Sequence, residues 1–259
     1  MIVKFLKDKR NIVLLLLFVL FSIKTAEAEN RFVLWALAGV SFSACLDFLI
    51  NRLFHKKTIF PRSAMITGFI VSGVLDYGHY FPALLFFCSL AIMSKYIVKV
   101  KKRHIFNPAN LGLFFAAILQ FTLAWTIESN VYLIIIAGMY IAYSIRKLPH
   151  VAGFLITFVL LFKFVEGINP FLLISWFFVF VMLVEPKTSG YGVLRGIVFG
   201  GIAGLASFLF YRFLPGRDFF VLSLFVANIF NPVFDKLFFR TGGQKVVVGD
   251  IEASEAGVR

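Results

Sequence analysis

"KRHIFNPANLGLFFAAI", residues 102–118, joins a basic cluster to an apolar run through a short polar hinge. Asn107 has the side chain of a good helix N-cap, and Pro108 suits the first helical position, where its missing N–H costs nothing. The stretch predicts a helix that starts at 108, beside charge, and runs directly into an apolar environment. Read outward in both directions, the chain repeats this arrangement. Apolar stretches fall at 11–27, 33–50, 63–76, 80–98, 108–126, 131–145, 149–165, 170–184, 192–212 and 218–236. About 20 apolar residues span roughly 30 Å of hydrocarbon as a helix. Hydrophobic residues make up 60% of the 259, and only 15% are charged. The mean hydropathy is +0.91. The expectation is an all-α polytopic membrane bundle of about ten transmembrane helices, some short or broken, 63–76 first among them.

The charges give that bundle an orientation. Lys4, Lys7, Lys9, Arg10, Arg52, Lys56, Lys57, Arg62, Lys95, Lys99, Lys101, Lys102, Arg103, Arg146, Lys147, Lys187, Arg195, Lys236, Arg240 and Lys245 fall on one set of alternate loops. The other set holds Lys24, Arg31, Arg212 and Arg217, with Lys163 at a helix end. By the positive-inside rule the expectation is a multi-pass protein of the inner (cytoplasmic) membrane with both termini in the cytoplasm. The net charge of +13 is then a loop property, and no nucleic-acid partner is expected. The first thirty residues imitate a cleavable leader, "TAEA" included, yet removing the first span would break the alternation, so a retained helix is favoured. Residues 1–240 read as one integral membrane domain and 241–259, polar and Gly-containing, as a flexible cytoplasmic tail.

Three polar stretches sit at helix starts on the inner side. They are "RSAMITGF" (62–69) with Ser63, Thr67 and Gly68; "FNPAN" (106–110) with Asn107, Pro108 and Asn110; and "EPKTSGYG" (185–192) with Thr188 and Ser189. Helix N-termini favour anions, so a shared pocket and ordinary capping are both open readings of these residues. No His/Cys/carboxylate cluster suggests a metal, and no nucleophile–base pair or phosphate-cradling Gly loop suggests hydrolysis. Cys45 and Cys88 read as small buried apolar side chains. The tetrapeptide Ile-Phe-Asn-Pro occurs at 105–108 and again at 229–232, both at the inner end of a span.

In order and spacing these stretches resemble the RnfD and NqrB family of membrane proteins, found in the Rnf complexes and in the sodium-pumping NADH:quinone reductase. Ser63-Ala64-Met65-Ile66-Thr67-Gly68 matches that family's S-A-x-x-T-G, and Ile105-Phe106-Asn107-Pro108-Ala109 is similar to its N-x-F-N-P-A. Glu185-Pro186-Lys187-Thr188-Ser189 is similar to its T-D-P-x-T-S region, and "NIFNPVFDK" to its closing N-x-x-x-P-x-x-D. The resemblance implies a urea-transporter-like scaffold. It also implies a membrane subunit of an ion-translocating oxidoreductase complex, which passes electrons through flavin and is coupled to Na+ or H+ movement. The partners it implies are the lipid bilayer and other membrane and cytoplasmic subunits. The family's covalent FMN motif, S-G-A-T in the segment after the fifth span, has no counterpart in "TIESNV" (126–131), where Thr122 and Thr126 are the nearest threonines. A non-covalent flavin, FMN or riboflavin, is therefore the expectation, with Ser63, Thr67, Gly68, Asn107, Pro108, Asn110, Thr188 and Ser189 as its contacts. The alternative is a small-solute channel or transporter on the same scaffold without redox activity.

Overall fold

The computed structural model describes residues 8–27, 30–54, 56, 58, 60–100, 103–186, 188–189 and 192–239. The tail at 241–259 lies outside the described residues. Nine α-helices form the described chain, and almost all of its secondary structure is helical. They are α1 Lys9–Glu27, α2 Asn30–Phe54, α3 Arg62–Val74, α4 Phe81–Ile97, α5 Pro108–Ile118, α6 Val131–Ser144, α7 Leu148–Phe164, α8 Val193–Phe213 and α9 Phe219–Phe239. A two-residue antiparallel ladder, Lys99–Val100 with Arg103–His104, joins α4 to α5. Between α7 and α8 lie a 3-10 turn, Pro170–Leu172, and a short π-helix, Phe178–Met182. Two helices, α2 and α8, are long and apolar enough to cross a membrane, and six others are apolar but shorter.

Each apolar stretch of the sequence carries helix; 11–27 and 33–50 are helical throughout, whereas 63–76, 108–126 and 170–184 are not. The run expected at 108–126 stops at Ile118, because tertiary partners take over the backbone there. Arg217 Nη1 donates to Ala117 O (2.7 Å) and Ile118 O (3.2 Å), satisfying carbonyls that further helix would have used. Beyond Gln120, whose φ of +66° turns the chain back, the backbone pairs with the end of α3. Ala124 N donates to Val74 O at 2.8 Å, Ile127 N to Gly73 O at 2.9 Å and Asp76 N to Thr122 O at 3.1 Å. The end of α3 is thus held by the segment that follows α5. The π-helix is likewise started by side chains. Ser175 Oγ accepts from Phe178 N (3.0 Å), while Glu128 Oε1 accepts from Phe177 N (2.7 Å) and from Ser175 Oγ (2.6 Å).

The core is aromatic. Phe154, Phe158, Phe162, Phe178 and Phe220 are buried, and Phe178 and Phe220 lie 4.9 Å apart between ring centroids. The closest packing is between α7 and α8, where glycine lets the backbones touch. A Cβ on Gly153 would lie 2.2 Å from Ile197 O, and one on Gly200 would lie 2.1 Å from His150 O. Buried charge elsewhere is paired. Asp47 on α2, 8% exposed, meets Lys95 Nζ at 3.8 Å and accepts from Tyr96 Oη at 3.0 Å on α4.

Candidate functional site

Asn107 caps α5 as its sequence suggests, its Oδ1 accepting from Asn110 N at 3.2 Å. The other half of the amide does something the cap alone would not need. Asn107 Nδ2 donates across the molecule to Met182 O at 3.4 Å, at the end of the π-helix. The second Ile-Phe-Asn-Pro copy reaches the same segment from α9, where Asn231 Nδ2 donates to Thr188 O. The two asparagines therefore hold one connection, 182–189, from two sides. Asn110 joins α5 to α9 by donating from Nδ2 to Val221 O at 3.1 Å. The ring of Phe225 stacks on Phe106 and Phe114, with centroids 4.6 and 3.7 Å away.

Around that connection sit three basic side chains, all buried: Lys147 and His150 at 0% exposure and Arg195 at 5%. Lys147 Nζ donates to Ser189 Oγ at 2.9 Å and lies 3.5 Å from His150 Nε2. His150 Nε2 is 2.8 Å from Ser189 O; a carbonyl only accepts, so this nitrogen carries the proton. Gly196 makes room for that ring, since a Cβ there would lie 2.6 Å from His150 Nδ1. Arg195 Nη2 donates to Asn231 Oδ1. The segment is folded on Glu185: Ser189 Oγ donates to Glu185 O (2.8 Å) and Thr188 Oγ1 to Glu185 Oε2 (3.1 Å). Burial, and then the nearby Arg195 charge, push the Lys147 ammonium down to about 7, with Glu185 acting in the other direction. Lys147 is itself the N-cap of α7 and Gly192 that of α8, and neither helix start has a side-chain capping bond.

Of the expected contacts, Asn107 reaches Met182 at the start of the 182–189 connection and Asn110 reaches Val221 on α9, while Thr188 and Ser189, at the other end of that connection, bond to Asn231 and Lys147. The structure does not join Ser63, Thr67 and Gly68 to them by any described bond. Ser63 is exposed, Thr67 Oγ1 donates to Ser63 O at 2.9 Å within its own helix, and Gly68 lets α3 approach α2, a Cβ there falling 2.7 Å from Gly39 O. Lys147, His150 and Arg195 were not among the expected contacts, because a count of loop charges treats them as solvated. The repeated Ile-Phe-Asn-Pro is the sequence signal that pointed to α9.

Among the described residues, Asn110 Oδ1 and both amide atoms of Asn228 are buried without a hydrogen-bond partner, and both residues are fully buried. Asn228 lies one turn before Asn231 and two turns after Val221, so it faces the seam between α5 and the 182–189 connection. Pro232 adds to the vacancy, having no N–H for the carbonyl of Asn228 four residues earlier.

A separate depression of about 650 Å³ opens at the opposite end, lined by Gln120, Thr122, Arg217, Asp218 and Phe219 among others. There the Asp218 carboxyl accepts from Val221 N (2.8 Å) and Trp125 Nε1 (2.5 Å). Thr122, the threonine nearest to the missing covalent motif, lies here rather than at the asparagine cluster. No protein-family model matches the chain, and no curated protein matches it.

Proposed function

We propose that the chain is a multi-pass protein of the cytoplasmic membrane and serves as a membrane subunit of an Rnf- or Nqr-like electron-transport complex, carrying a non-covalent flavin. The observation that carries this reading is that two family-like stretches, 106–110 and 228–232, each make a buried polar contact with the connection 182–189, which holds the third. The membrane part rests on the outer faces of the helices. Leu34, Leu37, Ile136, Ile156, Leu160 and Leu205 are all exposed, Ile136 to 72%. In water so broad an apolar surface drives aggregation, whereas in a bilayer it is the lipid-facing belt.

A flavin suits the donor set. Its ring edge alternates acceptors with an N–H, and Asn228 offers one vacant donor and one vacant acceptor, with Asn110 Oδ1 as a second acceptor. Bound flavin supplies the one- and two-electron chemistry that no side chain here provides. The chain's part is to orient the ring through these amides and to keep water out with Phe106, Phe114 and Phe225.

The test is the visible absorption and fluorescence of the full chain, purified in detergent with its membrane partners and flavin-replete, before and after acid precipitation. Flavin in the acid supernatant supports the reading. A colourless protein overturns it and favours the second reading, a small-solute channel, which has its own observation in two apolar helices too short to cross a membrane alone, α3 and α5, the end of α3 pairing with the segment that follows α5. Solute-driven swelling of proteoliposomes would then identify that activity.

A further inference from the structure

The depression at the far end of α5 is lined by two ionic residues adjacent in the chain and opposite in charge, Arg217 and Asp218. They bind elsewhere rather than to each other. Arg217 Nη1 donates to the carbonyls of Ala117 (2.7 Å) and Ile118 (3.2 Å), which leaves the Nη2 and Nε hydrogens of the guanidinium fork open. Ala117 lines the depression too, so the guanidinium is fastened at its edge. The Asp218 carboxyl accepts from Val221 N (2.8 Å) and Trp125 Nε1 (2.5 Å), neutral donors that leave its charge uncancelled. Among the described residues no carboxylate pairs with this guanidinium and no cation with this carboxylate. Both groups are half-buried, and both are held by helix ends: Arg217 by the last carbonyls of α5, Asp218 by the first N–H groups of α9. Exposed Gln120 and Thr122 add an amide and a hydroxyl to the lining, while half-buried Phe121, Leu123 and Phe219 give it an apolar wall.

From these two anchored, mutually unpaired charges at one opening we propose that the depression binds a small zwitterion, an α-amino acid with an apolar side chain such as leucine. Its carboxylate takes the open edge of the Arg217 fork, where two parallel N–H···O bonds fit. Its ammonium donates to Asp218, and its side chain packs on Phe121, Leu123 and Phe219. Charge balance selects this class. A ligand with one charge compensates one partner and strips water from the other, and a charge desolvated without a partner is costly. A ligand carrying both signs compensates both. The volume of about 650 Å³ falls within the range of small-molecule sites, roughly 300–1,000 Å³. The site lies at the opposite end of α5 from Asn107 and needs no flavin, so it stands or falls apart from the electron-carrier reading.

The experiment is isothermal titration calorimetry of the full chain in detergent with three probes: leucine, isocaproate (leucine without its amino group) and isoamylamine (leucine without its carboxylate). Leucine should bind saturably, and each analogue at least about tenfold more weakly, the scale of one lost charged hydrogen bond. In Asp218→Asn the order of leucine and isocaproate should reverse, because the carboxylate that calls for an ammonium has gone. Arg217→Lys keeps the charge but not the fork, and should weaken leucine and isocaproate together. Both residues also hold helix ends, so the unfolding temperature of each variant is followed alongside, and the three titrations of the parent chain decide the matter if a variant fails to fold. The proposal is overturned if leucine gives no saturable heat with the folded parent chain. It is equally overturned if either single-charge analogue binds the parent as tightly as leucine, which would make the depression a plain anion or cation site. Flavin absorbance of the same sample reports on the electron-carrier reading independently of these outcomes.

Discussion

Lys147 has no solvent exposure and an ammonium whose affinity for protons is lowered to about 7. The groups facing it are His150, Ser189, Arg195 and Glu185. The unfolded chain keeps this lysine protonated up to its ordinary value near 10. Between these limits unfolding takes up a proton, so the linkage makes the folded state more stable as pH rises from about 7. The unfolding temperature should therefore climb between pH 7 and pH 9 more steeply for the parent chain than for Lys147→Met. Equal slopes would mean that Lys147 is not held in the folded state as described. Asn107 offers a second check, because its two amide atoms do two jobs. Asn107→Asp keeps the cap acceptor but loses the donor to Met182 O, whereas Asn107→Ala loses both. The alanine should cost roughly 1 kcal/mol as a lost cap, and any bound flavin should be lost in both variants. Retention of flavin by the aspartate variant would remove the Met182 contact from the site. Sequence alone made the cap legible, since Asn-Pro before an apolar run is a local pattern. It could not make the burial of Lys147 legible, because a lysine in a short connection is ordinarily solvated and only the approach of 185–189 covers it.

Among elements, the short ones depend on groups far away in sequence. The π-helix Phe178–Met182 begins where Glu128 accepts from Phe177 N and Ser175 Oγ. Burial pushes the Glu128 carboxyl above the usual range, against those two bonds. A raised carboxyl contributes most below its unfolded value and loses that contribution as pH rises through the folded one. Glu128→Gln keeps an acceptor oxygen and is expected to stay within about 0.5 kcal/mol of the parent, while removing this pH dependence. Glu128→Ala leaves a buried helix start open and should cost roughly 2 kcal/mol. Denaturant unfolding followed by Trp176 fluorescence would separate the two, and equal losses would show that the acceptor is not what matters. The pair α7 and α8 is tested by Gly200→Ala, whose methyl would meet His150 O at 2.1 Å. The helices must separate, at a cost of about 1–3 kcal/mol, and the His150 contact to Ser189 should go with them. Helix positions were legible as apolar runs at every one of these elements. Their ends were not, since Ile118 stops α5 only because Arg217, a hundred residues later, takes its carbonyls.

For the whole molecule, the two cysteines report on where the apolar surface lies. Cys88 is buried, while Cys45 is exposed midway along α2, contrary to its reading as a buried apolar side chain. In a membrane that exposure is to lipid. Native membranes should therefore protect Cys45 from a charged maleimide yet allow a lipophilic one, and Cys88 should resist both. Labelling of Cys45 by the charged reagent in intact membranes would contradict the bilayer reading. Composition made the apolar surface legible at once, and the alternation of loop charge predicts an orientation for it. The burial of Lys147 and Arg195 was not legible, because a rule that counts loop cations has no means of recognising those the fold has drawn inside.

The end of α5 carries one more consequence. The depression that opens beside Ala117 and Phe121 brings solvent to the last turn of the helix, and its first turn begins at Asn107. Eleven residues of helix are about 16 Å long, roughly half the usual hydrocarbon thickness. In the proposed bilayer the aqueous phase on that side would reach inward to the last turn of α5, and the buried, water-excluding first turn would seal the remaining depth. The permeability barrier would then sit in one half of the membrane, and an ion entering from that side would meet protein only after crossing the other half of the depth.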